Sequence, residues 1–563
     1  MVMEKGKQHI TKQLLITVLL LIAVNFLGNF IFKRFDLTQD KRYTLSEATL
    51  NLVKDVDEPV YIDVLLEGNF PGEFKRLQTE TRQLLEEFKA YNPNIEFHFE
   101  NPLAEEETRQ QDMRMLYSRG LTPISVTVDD KGKQSQEVVF PWAIVSYGDK
   151  TTKVQLLKNM MGASTAEKVV SSVQHLEYAF ADAINKVTKE KEKKIAVIKG
   201  NGELHELLMA DFLKQVRENY FIAPFTLDSV ANNPLNTLKS LKDYDLAIIA
   251  KPTLEFTEEE KEVLDQYIVN GGKTLWMVDA VQAEMDSLYN ESGSTLAFPR
   301  KLNLDDMFFK YGFRINPKLV KDERATPISL AVGQMGSETQ YQQYLWRFAP
   351  FVYAESDNPI VKNMDGIKFD FANSIDTLKN NIRKTVLLQS SPYSKAIGTP
   401  TPVSLDMVNE QTKPEDYEGQ GYLTLSVLLE GQFHSMYENR VLPFKDPSYK
   451  PVGVDNKMIV IADGDIIKNQ LDQSYQPLEL GYDKWTNQLY DNKLFLMNCV
   501  NYLLDDTGLI NIRSKEVQLP MLDKEKVYEQ YSTVQFITVG LPIIILLVFG
   551  VLFTFLRKRK YSR

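Results

Sequence analysis

The chain has 563 residues, of which 43% are apolar and 25% are charged, and its formal net charge is −11. This composition is typical of a globular protein with two or three domains, and it excludes a disordered chain or a fibrous repeat. The acidic balance also argues against nucleic acid or an anionic lipid surface as the partner.

The first predicted element is a membrane anchor close to the N-terminus. Residues 14–32 are nineteen in number and carry no charge, and as a helix they would span about 28 Å, close to the thickness of one hydrocarbon core. Lys33 and Arg34 follow without a small-residue cleavage site or a lipoprotein cysteine, which argues against a cleaved signal. We expect a transmembrane helix over residues 14–32 behind a basic cytoplasmic tail, residues 1–13.

Polar and small side chains lie on one face of this predicted helix. Asn25, Gly28 and Asn29 recur at helical spacing, and such residues mediate contacts between helices in lipid. We therefore predict that this face contacts another membrane subunit.

Residues 35–160 are predicted to form a small α/β domain. A buried strand over residues 59–66 precedes an amphipathic helix, and a strictly alternating strand follows over residues 95–100. Two hairpins complete the domain, with turns near residues 129–132 and 148–149. Residues 161–193 then provide a connecting helix and a linker of mixed charge.

Residues 194–515 are predicted to form a larger α/β domain. The strands in "KKIAVIKGNGE", "YDLAIIAKP" and "KTLWMVD" alternate with helices, a pattern typical of a parallel sheet covered on both faces. Three later strands, in "KTVLLQSS", "LTLSVLLEG" and "MIVIADGD", are expected to extend the same sheet. The turn-rich region from residue 282 to 373 is expected to form excursions from this core.

The sequence Gly-Gly-Lys-Thr, which starts at Gly271, is similar to part of a phosphate-binding loop. Tyr267 stands where the first glycine of that motif belongs. The upstream segment begins with a capping box, Thr257 and Glu260, and continues as a helix, whereas the downstream segment is a strand. Asn270 and Gly271 are therefore interpreted as a helix C-terminus, whose partial negative charge would repel phosphate.

A second membrane anchor is predicted near the C-terminus. A stalk over residues 516–535 leads to a charge-free run over residues 536–556, and residues 557–563 contain five basic side chains. Basic flanks mark both termini as cytoplasmic, so the bulk of the chain lies on the opposite side of the membrane. The terminal segments and their flanks hold ten of the 65 Lys and Arg but one of the 76 Asp and Glu, so the region between them carries about −20.

The residues give no convincing catalytic centre, cofactor site or metal site. The single cysteine, Cys499, lies among apolar residues of a predicted helix, as an inert buried thiol does. The five histidines are scattered, and none forms a zinc-binding helix motif. The turn Gly200, Asn201, Gly202 and Glu203 is the best candidate for a ligand or partner contact, because glycines after a strand allow close backbone approach.

Several segments together resemble a known family. They are "IKGNGE", "YDLAIIAKPTLEFTEEEKEVLDQYIVNGGKTLWMVD", "NPIVKNMDGI", "KTVLLQSSPYSK", "VLLEGQFHSMYENR" and "NCVNYLLDDTGLINIRSKEV". In this order they are similar to the auxiliary extracytoplasmic subunits of ABC-type transport systems, most specifically to the gliding-motility-associated substrate-binding proteins of Bacteroidetes.

The resemblance implies a fold, partners and a location. It implies that the larger domain is class I glutamine amidotransferase-like but lacks the amidotransferase cysteine, so that the chain is not an enzyme. The family turn commonly reads Gly-His-Gly-Glu, and Asn201 stands here in place of the histidine. The expected partners are an ABC permease and a cytoplasmic ABC ATPase at the bacterial inner membrane, with the bulk of this chain in the periplasm.

Two alternatives remain open from the sequence. The chain could be a membrane-tethered hydrolase of degenerate amidotransferase-like fold that uses Glu203 or His205. It could instead be a structural envelope protein that contacts other proteins through residues 282–373.

Overall fold

The computed structural model describes residues 14, 16–22, 36, 44–68, 70–130, 133–336, 338–354, 356–515 and 528–561. The chain divides into two units, the first formed by Met1–Asp36 and Tyr43–Lys515 and the second by Leu37–Arg42 and Glu516–Arg563. The predicted anchor over residues 14–32 lies mostly outside the described residues; its residues 14 and 16–22 are helical and exposed.

The first unit begins with a four-stranded sheet in the order β2-β1-β5-β6, in which β2 runs parallel to β1 and the other pairs are antiparallel. Its elements are α1 (Glu47–Lys54), β1 (Val60–Val64), α2 (Gly72–Tyr91), β2 (Ile95–Phe99), α3 (Arg109–Ser118), β3 (Ile124–Asp130), β4 (Lys133–Val139), β5 (Trp142–Tyr147) and β6 (Lys150–Gln155). The strands β3 and β4 form a separate ribbon. Both predicted hairpins and the alternating strand β2 are confirmed.

A long helix, α4 (Thr165–Thr188), connects this region to the larger sheet. Ser164 and Glu167 form a capping box at its start, which satisfies backbone N–H groups that have no partner within the helix. Its apolar face packs against α2, β5 and β6. The connecting helix predicted within residues 161–193 is therefore confirmed.

The larger sheet starts with four parallel strands separated by helices. These elements are β7 (Lys194–Lys199), α5 (Ala210–Asn219), β8 (Phe221–Thr226), α6 (Pro234–Leu241), β9 (Leu246–Ala250), α7 (Glu258–Val269) and β10 (Lys273–Met277). All five side chains of β9 are buried, because apolar clusters cover both faces of the sheet. The capping box of α7 is present as predicted.

The turn-rich region between β10 and the later sheet strands lies outside the larger sheet, as predicted, and its strands form separate small sheets. It contains β11 (Val281–Gln282), β12 (Ser294–Pro299), α8 (Asp305–Tyr311), β13 (Phe313–Asp322), β14 (Ala325–Met335), β15 (Glu338–Val352), β16 (Ile367–Lys368) and β17 (Asn373–Thr377). A separate apolar cluster that includes Trp346, Phe348 and Phe371 supports these strands. Turn residues therefore mark connections between strands here.

Three of the remaining strands complete the larger sheet, which is mixed, and the others belong to smaller sheets. The remaining strands are β18 (Arg383–Gln389), β19 (Ser394–Gly398), β20 (Thr401–Ser404), β21 (Thr424–His434) and β22 (Val452–Ile461), followed by the short pair β23 (Tyr482–Asp483) and β24 (Gln488–Leu489). The sheet order is β18-β21-β22-β10-β9-β7-β8. The three predicted later strands do extend the sheet, but β21 runs antiparallel to both neighbours. The prediction of a wholly parallel sheet is therefore wrong at this edge, where β21 is antiparallel to β18 and to β22.

The first unit closes with α9 (Asn492–Leu504) and a 3-10 helix, Leu509–Ser514. Cys499 of α9 is fully buried, and burial raises the pKa of its thiol, as expected for an inert side chain. The second unit contains α10 (Leu541–Tyr561), which continues the helical residues before it. Among the described residues, Tyr531–Lys560 is the one helical stretch long and apolar enough to cross a membrane.

Candidate functional site

The carboxyl edge of the larger sheet is the first place to look for a site, since ligands of open α/β sheets bind beyond the carboxyl ends of the strands. The parallel strands β7, β9, β10 and β22 all end at this edge. The segments that follow them contain the predicted turn Gly200 to Glu203 and a group of buried charged residues.

The two glycines of the predicted turn are required by its geometry. Gly200 has φ +122 and Gly202 has φ +71, values that side chains with a Cβ rarely allow. A Cβ on Gly202 would lie 2.2 Å from the Oγ1 atom of Thr253, whose hydroxyl donates to the Gly202 carbonyl at 2.8 Å. The glycines thus bring this turn against the loop that follows β9.

Asn201 fixes the turn to α7. Its side chain is buried, and its Nδ2 donates to Oε2 of Glu260 at 3.0 Å. Its carbonyl accepts from the N–H groups of Thr253 and Leu254 at 2.8 and 2.9 Å. Because Glu260 is also the capping-box residue of α7, Asn201 links the end of β7 to the start of this helix.

Glu203 folds back onto the same turn. The N–H of Asn201 donates to Oε2 of Glu203 at 2.9 Å, and burial raises the pKa of Glu203. Oε1 of Glu203 and Oδ1 of Asn201 are buried acceptors without a hydrogen-bond partner among the described residues. His205 lies next to the turn, where its Nδ1 accepts from the Leu207 N–H at 3.2 Å and caps a short 3-10 helix.

A cluster of buried charges, which sequence analysis missed, lies beyond β9, β10 and β22. The Nζ atom of Lys251 lies 2.5 Å from Oδ2 of Asp465, 2.7 Å from Oε2 of Glu284 and 3.5 Å from Oδ2 of Asp279. Lys251 is 3% exposed and has φ +53, a left-handed conformation that is uncommon for a residue with a Cβ. We call Lys251, Asp279, Glu284 and Asp465 the ionic cluster.

Protonation in the ionic cluster follows from burial and charge. Burial alone would lower the pKa of Lys251, but the carboxylates of Asp465, Asp279 and Glu284 together raise it. Burial raises the pKa of Asp279 to about 6, although Lys251 opposes this effect. Neighbouring Asp463 is fully buried, and burial followed by the charges of Asp279 and Asp465 raises its pKa well above the usual range.

The contacts of the ionic cluster favour a structural role over metal binding or nucleophilic catalysis. The donor oxygens of Asp279, Glu284 and Asp465 lie close enough together to hold a metal ion. However, the ammonium group of Lys251 already contacts all three carboxylates and offsets part of their negative charge. A lysine held protonated is not a nucleophile, since nucleophilic attack requires the neutral amine.

The sequence did contain a signal for this cluster. Each of the strand motifs "YDLAIIAKP", "KTLWMVD" and "MIVIADGD" ends in a charged residue directly after its apolar run. Parallel strands place such residues along one edge of the sheet. The order of the strands decides which of these residues meet, and that order was not known from the sequence.

A small open cleft lies at the carboxyl ends of β1 and β2. It has about 370 Å³ of empty volume, and its lining includes Glu67, Asn101, Arg109 and Glu137. Glu67 is already bound by Gln78 and Arg82 of α2, at 2.9 and 3.1 Å. The polar groups of the cleft are thus partly engaged within the protein.

The two ends of the first unit meet at Glu177 of α4. Oε1 of Glu177 accepts from the Ser46 N–H at 2.7 Å and from the Thr49 hydroxyl at 2.9 Å. Its Oε2 accepts from Nζ of Lys515 at 2.7 Å, and the same ammonium donates to the Thr44 carbonyl at 2.7 Å. Glu177 is 6% exposed. We call these contacts the end joint; it holds residues 44–49 beside residue 515.

The structure does not test the predicted membrane contact. Asn25, Gly28 and Asn29 are outside the described residues. The structure brings Gly200, Asn201, Gly202 and Glu203 together in one turn, which is adjacent to α7.

Two family models and one curated protein match this chain. Residues 192–499 match a family model described as an ABC-type uncharacterized transport system. Residues 39–146 match a domain of unknown function. An uncharacterized protein of Borreliella burgdorferi is 23% identical over 572 aligned positions, which cover 99% of each chain.

One solved structure was also similar. The mmIFT52 N-terminal domain is 13% identical to this chain, and the match covers 58% of this chain and 100% of that domain. Its TM-score is 0.32, which is too low to infer a shared fold.

Proposed function

This chain belongs to the auxiliary family of ABC-type uncharacterized transport systems, and from that premise we propose that it is a membrane-anchored extracytoplasmic subunit of an ABC transporter. The subunit does not bind ATP itself and performs no catalysis. It presents a folded region beside a permease, whose energy comes from a cytoplasmic ATPase. Within this role, we propose gliding motility, or protein export linked to it, as the process served.

The end joint is the observation that best supports this proposal. Thr44 and Lys515 lie at the two ends of the long segment of the first unit, and one side chain, Glu177, binds both ends. Because the two ends of this folded region lie side by side, both can connect to anchors in the same membrane. Neither connection has to cross from one side of the folded region to the other. Two anchors would also raise its effective concentration beside a permease.

The charge around the apolar helix supports the orientation. α10 is exposed along its length and ends in the basic residues Arg557, Lys558, Arg559 and Lys560. Lys and Arg flanking a membrane helix are retained on the cytoplasmic side. We therefore place the C-terminus in the cytoplasm, the first unit in the periplasm, and the anchors in the bacterial inner membrane.

The chemistry of the candidate site supports a binding role without catalysis, cofactor or metal. Cys499 is a buried thiol, Lys251 is a paired ammonium and His205 is a helix cap. These are the side chains that would supply a nucleophile or a base, and each has a structural function.

Affinity purification of the detergent-solubilised chain tests the proposal. We expect a permease and an ABC ATPase to co-purify with it, and the absence of both would contradict the transporter role. Changing Asn25 and Asn29 together to leucine should reduce recovery of the permease if that face makes the contact. The matched control is Thr538→Leu, a change to leucine in the C-terminal apolar helix.

The hydrolase alternative rests on Glu203 at the turn after β7. Its raised pKa and the partnerless oxygen beside Asn201 are features that general acids share. It predicts hydrolytic activity of the full chain that Glu203→Gln abolishes. The same variant leaves co-purification intact under the transporter proposal, so the two functions are separable.

A structural envelope role would use the ribbon formed by β14 and β15. Residues 331–334 and 339–343 of this ribbon are exposed on both faces. Shortening the ribbon from residue 330 to 342 should then abolish function in the cell without affecting recovery of the permease. Unchanged function after this deletion would remove the envelope alternative.

A further inference from the structure

The strand β2 is an edge strand with an unused side. Among the described residues, β1 is the one strand that pairs with β2. An uncovered strand edge is a template for pairing with another chain, so the backbone groups and side chains of β2 determine what could bind there.

The backbone of β2 directs alternate residues outward. The Val60 N–H donates to the Asn94 carbonyl at 2.8 Å, and the Glu100 N–H donates to the Val64 carbonyl at 3.0 Å. In a parallel ladder the residues that bond to a neighbour alternate along the strand. Residues 96 and 98 therefore bond to β1, whereas Phe97 directs both its N–H and its carbonyl away from the sheet.

The side chains of β2 alternate between the core face and the solvent face of the sheet. Ile95 and Phe99 are buried on the core face and Phe97 is half-buried there, whereas Glu96 and His98 are exposed on the solvent face. An acidic and a basic residue thus flank the central Phe97 on the exposed face.

We propose that β2 pairs antiparallel with β2 of a second copy of this chain, about a two-fold axis that passes between the two Phe97 residues. In this register each Phe97 exchanges two backbone hydrogen bonds with its counterpart. Ile95 lies opposite Phe99 of the second copy on the core face, and Glu96 lies opposite His98 of the second copy on the solvent face. The two four-stranded sheets become one sheet of eight strands.

Both the backbone groups and the side chains of β2 favour this register. Phe97 has outward backbone groups, so it occupies the hydrogen-bonded position that a two-fold axis requires. Glu96 and His98 then occupy the flanking positions, where facing side chains are closest. Symmetry makes the Glu96–His98 pair occur twice, so that every opposed pair is complementary.

The other edges of the two largest sheets are less suited to a second copy. Pro224 interrupts β8, and proline cannot donate to a ladder. The pairing of β18 with β21 contains register shifts, which distort that edge. Lys150 and Lys153 make β6 basic, so two copies would repel each other there.

The contact is expected to be weak and reversible. A stable interface buries roughly 800 Å² on each partner, and a pair of five-residue strands provides less than that. Dimer formation should therefore increase with protein concentration, and it should depend measurably on single side chains of β2.

Charge reversal in the full chain, purified in detergent, tests the register. Sedimentation over a concentration series should give a dimer whose dissociation constant increases roughly tenfold in His98→Glu, since like charges opposite each other destabilise a strand pair. The double variant Glu96→His/His98→Glu exchanges the two side chains and should restore dimerisation. Both residues are exposed, so neither change should affect folding.

Cysteine cross-linking tests the partner. Copies with Glu96→Cys mixed with copies with His98→Cys should form a mixed disulfide under oxidising conditions, while native Cys499 is fully buried and cannot compete. Copies with Thr151→Cys mixed with copies with Lys153→Cys are the control. These two positions are also two residues apart and lie on the exposed face of β6, and they should not cross-link. Capture of a different protein by Glu96→Cys would overturn the second copy as occupant.

Three results would overturn this inference. They are a chain that stays monomeric over the whole concentration series, a dimer insensitive to His98→Glu, and equal cross-linking at β2 and β6. None of these outcomes bears on co-purification with a permease, so the inference can fail while the proposed function holds.

Discussion

The ammonium group of Lys251 lies 2.5 Å from the carboxylate of Asp465, which is 214 residues further along the chain. Asp279 and Glu284 complete the ionic cluster around it. These residues follow β9, β10 and β22, so the cluster ties together the carboxyl ends of three neighbouring strands. The left-handed backbone of Lys251 is held by these contacts, since such a conformation persists only where the surroundings determine it.

We expect Lys251→Met to destabilise the fold by about 3 kcal/mol, because removing one partner leaves buried carboxylates without a compensating charge. Urea unfolding at pH 7.5 measures this loss. At pH 5.5 the loss should be smaller, because the pKa of Asp279 is already about 6 and rises further without the lysine. At pH 5.5 protonation of Asp279 removes a negative charge that has no ammonium partner in the variant, so less stability is lost.

Lys468→Met is the matched control for the ionic cluster. Its ammonium also lies near Asp465, at 3.8 Å, but its side chain is 30% exposed. We expect a change within about 0.5 kcal/mol, as for other exposed pairs. Equal losses for the two lysine variants would show that burial of Lys251 has no special effect.

The helix α7 shows how much of the fold the sequence predicts. Its capping box, its apolar face and its end before Gly271 follow from local pattern and are confirmed. Its polar face is buried as well, which the pattern does not predict. Asp265 on that face accepts from the Ser435 hydroxyl at 2.6 Å, the Met436 N–H at 2.8 Å and the Tyr311 hydroxyl at 2.9 Å.

Long-range partners explain what the sequence could not predict. The partners of Asp265 directly after β21 are about 170 residues away, and periodicity contains no information on such contacts. The ribbon of β14 and β15 was missed for a different reason. Much of it is exposed on both faces, so it lacks the alternation of apolar and polar residues that indicates a half-buried strand.

Gly202→Ala should lower the free energy of unfolding by more than the cost of placing an alanine at a positive φ. A positive φ costs an alanine about 1–2 kcal/mol relative to glycine, and at Gly202 the new Cβ would also lie 2.2 Å from Oγ1 of Thr253. Gly148→Ala isolates the first effect, because Gly148 has φ +54 and no neighbouring atom within 4 Å. Thermal unfolding of both variants measures the difference, and equal shifts would exclude a tight contact at the turn.

Lys158 should make the stability of the fold depend on pH in the alkaline range. Burial, followed by the charge of Arg513, lowers the pKa of Lys158 to about 7, although Asp491 and Asp365 oppose this shift. The unfolded chain, with a pKa of 10.5, therefore binds more protons than the folded chain between pH 7 and 10.5. Stability contributed by this group rises with pH across that window, by up to about 1.4 kcal/mol per pH unit.

Urea unfolding at pH 7.5 and 9.5 tests this dependence. We expect the free energy of unfolding to change less between the two pH values in Lys158→Met than in the unmodified chain. Lys168→Met, on the neighbouring α4, should retain the original slope. An unchanged slope in Lys158→Met would assign the alkaline dependence to another group.

Glu177→Gln should loosen the end joint without unfolding the protein. The amide oxygen can still accept from Ser46 and Thr49, but the ion pair with Lys515 is lost. Hydrogen exchange should become faster at the Ser46 amide and over the 3-10 helix Leu509–Ser514. The expected decrease in opening free energy is about 2 kcal/mol, as for a hydrogen bond to a buried charged group.

Asp182→Asn provides a control on the same helix. Asp182 pairs with Lys186 one turn away at 2.6 Å, and both side chains are about a quarter exposed. A pair of this kind contributes about 0.3–0.5 kcal/mol to a helix, so exchange at Ser46 should not change. Equal acceleration by both variants would mean that α4 opens as a whole. Acceleration by Glu177→Gln alone would mean that Glu177 contributes more to holding residues 44–49 beside residue 515 than the direct hydrogen bond from Lys515 to the Thr44 carbonyl does.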